Sequence, residues 1–487
     1  MRCFQLYVLA AVLWSRACGA AAADEYWNYA YRGFDVTTSE NAGSALALAH
    51  NVARFDTALT HILTLTEAHV PTHIYVLPAE QLKELIGNSS GASFQFSGYE
   101  ATVITSDTNR NYRNWGPLFG YTGSLLANGR ALRCPYWFQL GVPELFANTE
   151  FKADKLKTGG VAGGYARTLT LSNLIPTRTL LRIQSGDPQL TNARFLEVFE
   201  AETWFLVYEI FVQGKLQEEF GHYLRLLRDG KSEADAFTES FKFSYEDLDK
   251  VLVKYMSEPA RIFVVPVPRE PTDPGEPLRL PPTAAKARLA QLNLQWGHRA
   301  EALRWGTESL QADPKNELAL SVVARANLQD GNFDAALASI NKLDEVPVAD
   351  VSALTDGGDV LSWVAYAVSF KKATVGVDAR ALAERAKEHY ERAISMNPEY
   401  LRAWAGLAYL YGWRREDAAA HALVGRVHPV MEKHTDSGAL ARSVAQMCSE
   451  TGQYSDGIFF GDYWRDDALT DKDREQAVAL LLRMGAR

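Results

Sequence analysis

The feature that most constrains the fold is a repeat of small residues in the second half of the chain. The repeat has a spacing of 34 positions and comprises Ala290, Gly297 and Ala302 and then Ala324, Gly331 and Ala336. Small side chains at fixed positions let two helices approach closely, and a unit of this length holds one helix pair. Stacked pairs bury a continuous core that no single pair could bury alone. The pattern therefore predicts an all-α solenoid in the C-terminal part of the chain.

Further units follow, although an insertion displaces the first helix of the third. Their marker residues are Ala386, Tyr390, Ala393 and Pro398, then Trp404, Ala408 and Tyr411, then Ala445, Gly452 and Tyr454. The period and these residues resemble tetratricopeptide (TPR) repeats. The resemblance assigns residues 283–487 to a TPR domain that ends in a capping helix. It also implies a concave protein-binding surface lined by the first helix of each pair, which would carry Gln291, Ser321, Arg325 and Tyr409.

Residues 256–282 differ in composition from both flanking regions, because eight of them are proline. Proline disfavours helix and favours extended conformations. We therefore predict a semi-rigid linker here, between an N-terminal domain of residues 24–255 and the repeat domain.

Periodicity predicts mixed α+β structure in the N-terminal domain. Alternating apolar residues indicate a strand near 31–38 and a hairpin near 94–105, and helical spacing between them indicates a long helix at 40–68. Another extended segment is expected at 168–174. Helices are expected from residue 192 onward.

Two apolar helices, predicted near 117–126 and 135–146, resemble the active-site helices of peptidase-MA-like gluzincins. In that family the first helix carries His-Glu-Tyr-Thr-His, and the second opens Pro-x-Trp-x-x-Glu-Gly-x-Ala-Glu. The residues that match this pattern are Tyr121, Thr122, Trp137, Gly141 and Glu144. Segments 201–208 and 236–255 are also similar to the family, so the resemblance covers most of residues 70–255. It implies a zincin-like fold for the N-terminal domain.

The chain departs from the family at the positions that carry the chemistry. A zincin helix places two His side chains on one zinc ion and a Glu beside them as general base. The resemblance puts these three positions at Phe119, Gly120 and Gly123, and the third zinc ligand at Leu140. None of these side chains has a lone pair for a metal or a base for water. The sequence therefore predicts a domain with neither catalysis nor a cofactor.

The N-terminus indicates export. A basic start, an apolar run from Cys3 to Trp14 and four alanines at 20–23 are typical of a secretory signal, so we expect residues 1–23 to be removed and the protein to be periplasmic or secreted. No later segment is apolar enough to span a bilayer. The net charge of −9 argues against a nucleic-acid partner. Two cysteines remain, Cys134 and Cys448, and their spacing leaves open whether they are free.

These observations favour an exported, non-catalytic adaptor in which a degenerate gluzincin-like domain is joined to a TPR array that binds a protein or peptide. The alternative is an active hydrolase or peptidase that uses unconventional catalytic or metal-binding residues. A further hypothesis, compatible with the first, is that the N-terminal cleft holds an extended peptide along the strand near Thr102–Thr105.

Overall fold

A computed structural model describes residues 25–63, 71–87, 91–97, 99–106, 114–128, 135–161, 163–267, 275–370, 372, 375–433, 437–468 and 471–485. The predicted signal sequence and Cys134 lie outside these residues. Cys448 is a free, buried thiol.

The N-terminal half contains nine described strands in two sheets. They are β1 (Trp27–Tyr31), β2 (Phe34–Thr38), β3 (Thr72–Leu77), β4 (Ala92–Phe96), β5 (Ala101–Ser106), β6 (Glu150–Phe151), β7 (Lys155–Thr158), β8 (Phe263–Pro266) and β9 (Leu278–Arg279). The larger sheet has the order β4-β5-β3-β2-β1-β9. Strands β2, β3 and β5 are parallel, and the outer strand β4 is antiparallel to β5.

The single strand expected near 31–38 is instead the end of β1, a turn and β2. Arg32 and Gly33 both have positive φ, 49° and 80°. Consecutive residues of this conformation make the tight turn that joins two antiparallel strands. Alternation of apolar residues cannot distinguish one strand from two halves of a hairpin, so the sequence pattern missed the turn.

Ten described helices belong to the same half. They are α1 (Ala42–Leu63), α2 (Ala79–Ile86), α3 (Trp115–Asn128), α4 (Tyr136–Ala147), α5 (Gly163–Leu171), α6 (Thr177–Leu180), α7 (Ala193–Phe211), α8 (Gln217–Arg228), α9 (Glu233–Ser240) and α10 (Tyr245–Tyr255). The long first helix and the helices after residue 192 occur where periodicity predicts them.

The extended segment expected at 168–174 is wrong, because most of it lies in α5. Thr168 donates a hydrogen bond to Glu197 on α7, and Leu169 is buried. The ring of Tyr165 also packs on Trp204 of α7, with centroids 6.0 Å apart. These contacts with a neighbouring helix outweigh the strand preference of threonine.

The larger sheet packs against other elements on both of its faces. Val36, Ile74 and Val103 are fully buried in the core that includes α1, α3 and α4. Tyr75 and Ile104 point to the opposite face, because neighbouring residues of a strand alternate in direction. There they join a second apolar cluster with residues of α2 and of the first repeat helix.

The predicted proline-rich linker contributes a strand to each sheet in its described part. β8 pairs with β7 of the smaller sheet, and β9 pairs with β1 of the larger one. The backbone of this region is therefore held by hydrogen bonds to the N-terminal domain on both sides of residues 268–274.

The C-terminal part is an array of antiparallel helix pairs, so the predicted TPR-like solenoid is confirmed. The pairs are α11 (Pro282–Gln295) with α12 (Arg299–Ala312), α13 (Glu317–Gln329) with α14 (Phe333–Asp344), α15 (Val351–Ser369) with α16 (Ala379–Met396), α17 (Leu401–Arg414) with α18 (Asp417–Lys433), and α19 (Gly438–Glu450) with α20 (Tyr454–Asp467). Helix α21 (Asp471–Arg483) follows them. The marker alanines of each unit lie in buried contacts between helices.

The N-terminal domain rests directly on the first repeat. Leu289 and Leu292 of α11 pack against the second face of the large sheet. His298 donates from Nε2 to the carbonyl oxygen of Leu85, at the end of α2, over 2.9 Å. The two halves therefore share an apolar core as well as polar contacts.

Candidate functional site

Two of the four positions where gluzincins carry their zinc ligands and base are used for packing. Gly120 on α3 faces Val103 of β5, and Gly123 faces the ring of Phe94 on β4. The approach is so close that any side chain at either glycine would overlap these neighbours. The glycines seat α3 against the sheet, and a metal ligand has no room at either position.

The other two positions, Phe119 and Leu140, are partly buried and pack against the N-terminal core. Phe119 stacks on Trp115 with ring centroids 5.1 Å apart. Within the part of the chain that the structure describes, no three His, Cys, Asp or Glu side chains are grouped so as to hold a metal ion. The side chains at positions 119, 120, 123 and 140 do not fit a zinc centre.

Glu144 matches the gluzincin pattern, but its carboxyl lies in apolar surroundings. The residue is 5% exposed. Burial raises the pKa of this carboxyl to about 8, with a further increase from Glu200, against the opposing effect of hydrogen bonds from Tyr165 and Trp115. A carboxyl that is protonated at neutral pH supplies neither an anionic ligand nor a base.

The hypothesis of a peptide along the strand near Thr102–Thr105 is wrong. That segment lies in β5, whose backbone already pairs with β3 on one side and β4 on the other. Strand addition requires a free edge, and β5 has none.

The strongest candidate site consists of two cavities that are lined by repeat helices and by residues of the N-terminal domain, and we call them together the groove. Its polar end, with a volume of about 670 Å³, is lined by Asp35, His73, Glu100, Arg288 and Gln291. Its aromatic end, with a volume of about 740 Å³, is lined by Leu328, Phe333, Trp363, Tyr366 and Tyr409 together with Tyr99 and Arg325.

A buried carboxylate holds together the helices that line the groove. Asp356 on α15 is 0% exposed, and its Oδ1 lies 3.1 Å from Nη1 of Arg325 and 2.5 Å from Nη2 of Arg402. Ser321 donates its hydroxyl to Asp356 over 3.4 Å. Arg402 also contacts Asp359 at 2.5 Å. The two arginines belong to α13 and α17, so one carboxylate joins three successive repeats.

We predict that Asp356→Ala lowers the free energy of unfolding by roughly 3–5 kcal/mol, because it leaves two arginines without their buried counter-ion. Urea denaturation followed by circular dichroism measures this loss. The matched control is Asp330→Ala, which breaks a solvent-accessible ion pair with Arg299 and should cost less than about 1 kcal/mol. Equal losses in the two variants would contradict a structural role for Asp356.

The polar end contains a chain of charges that crosses from the sheet to the first repeat. Asp35 and His73 are paired residues of β2 and β3, and His73 Nδ1 lies 3.1 Å from Oδ2 of Asp35. Arg288 of α11 contacts the same oxygen at 2.7 Å. His73 Nε2 lies 3.8 Å from Glu100. These contacts connect two strands and the turn between β4 and β5 with the repeat domain.

These contacts shift the pKa values of the groups that form them. Burial alone would lower the pKa of His73, but hydrogen bonds to Asp35 and Glu100 outweigh it and raise that pKa to about 10. Burial opposes ionisation of Glu100, yet His73, Arg402 and Arg325 lower the pKa of its carboxyl to about 2. The pKa of Asp35 is likewise lowered, against burial, by His73 and Arg288. At neutral pH these groups are ionised.

We predict that the stability difference between the wild type and His73→Gln depends on pH. The folded state binds the His73 proton more tightly than the unfolded chain, so the stabilisation is complete below pH 6.5 and is lost as the pH rises toward about 10. Burial raises the pKa of neighbouring Tyr75 to about 12, so Tyr75 stays neutral over most of this range. Urea titrations of both proteins across that range test the prediction. A pH-independent difference would contradict it.

The aromatic end exposes large rings to solvent in a recess. Trp363 is 51% exposed, and its ring lies 5.8 Å from that of Tyr366 and 6.1 Å from that of Tyr409. Lys372 places its ammonium 4.8 Å from the centre of the Tyr366 ring. The surface is therefore apolar with a cation at its margin.

The four residues predicted to bind a partner occupy different places. Gln291 lines the polar end, and Tyr409 lines the aromatic end. Arg325 lines the aromatic end as well, but its guanidinium is engaged by Asp356. Ser321 has no exposed surface and supports Asp356 from behind the groove. A role in binding remains a prediction for Gln291, Arg325 and Tyr409, whereas Ser321 is out of a partner's reach.

Trp363, Tyr366 and Tyr99 line the groove but were not among the residues predicted to bind a partner. An insertion displaces the first helix of the third unit from the 34-residue register, and this helix, α15, spans Val351–Ser369. The spacing of Trp363, Tyr366 and Phe370 on one helix face was the available signal. Nothing local marks Tyr99, because its neighbours in the groove are distant in sequence.

No protein-family model and no curated protein sequence matches the chain. Solved structures similar to parts of it include a thermophilic TPR protein from Thermus thermophilus, with 18% identity, a TM-score of 0.33, and coverage of 41% of this chain and 99% of that one. PilW, a type IV pilus biogenesis factor, has 15% identity and a TM-score of 0.32, over 42% of this chain and 88% of that one.

YrrB, a TPR protein with an unusual peptide-binding site, has 11% identity and a TM-score of 0.29, over 40% of this chain and 90% of that one. Because these TM-scores are low, the description as TPR-like repeats depends on the 34-residue period and the helix pairs themselves. The resemblance of most of residues 70–255 to gluzincins stays a prediction from the sequence.

Proposed function

We propose that the protein is an exported, non-catalytic adaptor whose TPR-like groove captures a protein or peptide partner. The observation that carries the proposal is the aromatic end of the groove. Large aromatic side chains dominate the binding energy of protein interfaces, because they bury much surface with few rotatable bonds. A half-exposed Trp363 with Tyr366 and Tyr409 beside it in a concave recess has this character.

The N-terminal domain has a structural part in this proposal. We interpret it as a degenerate zincin-like module, supported by the sequence resemblance and by a sheet of parallel strands with an antiparallel outer strand over α3. Its positions 119, 120, 123 and 140 hold no donor group, and it forms one wall of the groove through the polar end. The signal-like residues 1–23 support export.

We predict that Trp363→Ala weakens peptide capture by roughly tenfold or more, because truncation of a central aromatic residue of an interface typically costs at least about 2 kcal/mol. Peptides would be selected from a random phage-displayed library on the immobilised wild-type chain. Their affinities for the wild type and for Trp363→Ala would then be measured by fluorescence polarisation.

The matched control is Phe459→Ala, which removes a ring that is also 50% exposed but lies on α20, a second helix of a pair. Its affinities should equal those of the wild type. Failure to enrich any peptide, or equal binding by Trp363→Ala and the wild type, would refute the groove as the binding site.

The alternative of an active hydrolase with unconventional residues makes an opposite prediction about metal. We expect the purified protein to contain no stoichiometric zinc and to keep its melting temperature in the presence of a chelator, because the glycine positions are closed by Val103 and Phe94. Plasma emission analysis and thermal melts with and without chelator measure both quantities. A tightly held divalent ion that stabilises the fold would favour the hydrolase.

A further inference from the structure

The turn between β4 and β5 enters the groove of the repeat domain. Ser97 shapes this turn, because its amide donates to the carbonyl of Glu100 over 3.0 Å and its hydroxyl accepts from the amides of Tyr99 and Glu100 over 3.3 Å and 3.1 Å. A turn closed by its own hydrogen bonds presents its side chains in a fixed direction. Tyr99 and Glu100 are thereby held toward the repeats.

Tyr99 occupies the boundary of the aromatic end. Its ring packs against the core of the repeat domain, and it shares the groove wall with Tyr390, Gly406 and Ser443. Burial raises the pKa of its hydroxyl to about 12, while a hydrogen bond with Ser443 opposes the shift. An aromatic side chain from another domain is therefore already accommodated by the concave surface.

Glu100, the residue after Tyr99, places a negative charge near the arginines of the groove. Its side chain is 14% exposed. Besides His73, the cations acting on it are Arg402 and Arg325, which belong to the repeats. Asp356 and Asp359 already pair with these arginines, so little positive charge is left unbalanced around Glu100. This part of the groove therefore accommodates one further carboxylate, that of Glu100.

Beyond Tyr99 the groove continues past Trp363, Tyr366 and Tyr409. A ligand that contacted the groove where Tyr99 does would also reach these rings. An extended segment that carried an aromatic residue beside a carboxylate could repeat the contacts of Tyr99 and Glu100 and then run along the exposed rings. It would bury apolar surface that the turn alone leaves open.

We propose that the groove's partner is an extended peptide with an aromatic residue next to an acidic one, and that the Tyr99–Glu100 turn is an internal copy of this ligand that the partner displaces. This inference rests on the proposed function and specifies its ligand. An internal competitor reduces the apparent affinity of a partner by the fraction of molecules in which the site is open. Removing the competitor should therefore strengthen binding.

The test uses a fluorescein-labelled peptide with the chain's own sequence Ser-Gly-Tyr-Glu-Ala-Thr, residues 97–102. Its affinity is measured by fluorescence polarisation on the full chain and on the double variant Tyr99→Ala, Glu100→Ala. We expect the double variant to bind about tenfold more tightly or better, because an open state populated at about 10% or less imposes such a penalty on the wild type. A peptide with Ala-Gln in place of Tyr-Glu should bind neither protein.

The matched control is Tyr454→Ala, Glu450→Ala, which removes an exposed tyrosine and an exposed glutamate from α20 and α19 and should bind like the wild type. If the double variant does not unfold cooperatively, Tyr99→Ser alone, which keeps Glu100 and its ion pairs, should give a smaller gain in the same direction. Equal affinity of the folded variant and the wild type, or no binding to the folded variant, overturns the inference. Library peptides that still depend on Trp363 would then leave the proposed function standing.

Discussion

The architecture of the groove depends on one carboxylate that water does not reach. Asp356 lies at the centre of three repeats and is neutralised by arginines from the first helices of the repeats before and after its own. A buried ion pair adds little net stability compared with apolar packing, but a misaligned stack would leave a charge without its partner. The ion pairs therefore favour one alignment of the three repeats. This alignment sets the width and curvature of the surface that the repeats form together.

The same arginines connect the repeats to the N-terminal domain. Arg402 and Arg325 act on Glu100, while Arg288 on the first repeat helix holds Asp35. The large sheet also buries Tyr75 and Ile104 in a cluster with α2 and α11. The two halves are thus joined by an apolar contact and by charges aligned along the groove. A ligand that filled the proposed groove would contact both halves at once, because residues of both halves line it.

Periodic features of the sequence predicted the fold well where the relevant contacts are local. The small residues at a 34-residue spacing gave the helix pairs, and apolar spacing gave α1 and the helices after residue 192. The prediction of an extended segment at 168–174 is wrong, because Tyr165 and Thr168 contact α7. Local conformational preference cannot anticipate such a contact. The turn at Arg32 and Gly33 was not predicted, because the alternation of apolar and polar residues continues across it.

The candidate site was less predictable than the fold. Tyr409 and Gln291 follow from repeat position, because each unit presents the same helix face to the groove. Tyr99 and Glu100 do not, since they reach the groove only after the sheet has docked on α11. Arg325 has a structural role that its repeat position does not reveal, because its partner Asp356 lies in a unit whose register the insertion obscures.

The contacts of Gly120 and Gly123 also limit which side chains α3 can carry. Val103 and Phe94 fill the space into which side chains at these positions would extend, so α3 packs closely against β4 and β5. A larger side chain at either position would first push two packed elements apart. Substitution of both glycines together would therefore require the helix to move away from the sheet, and the apolar contacts on that face of the helix would be lost with it.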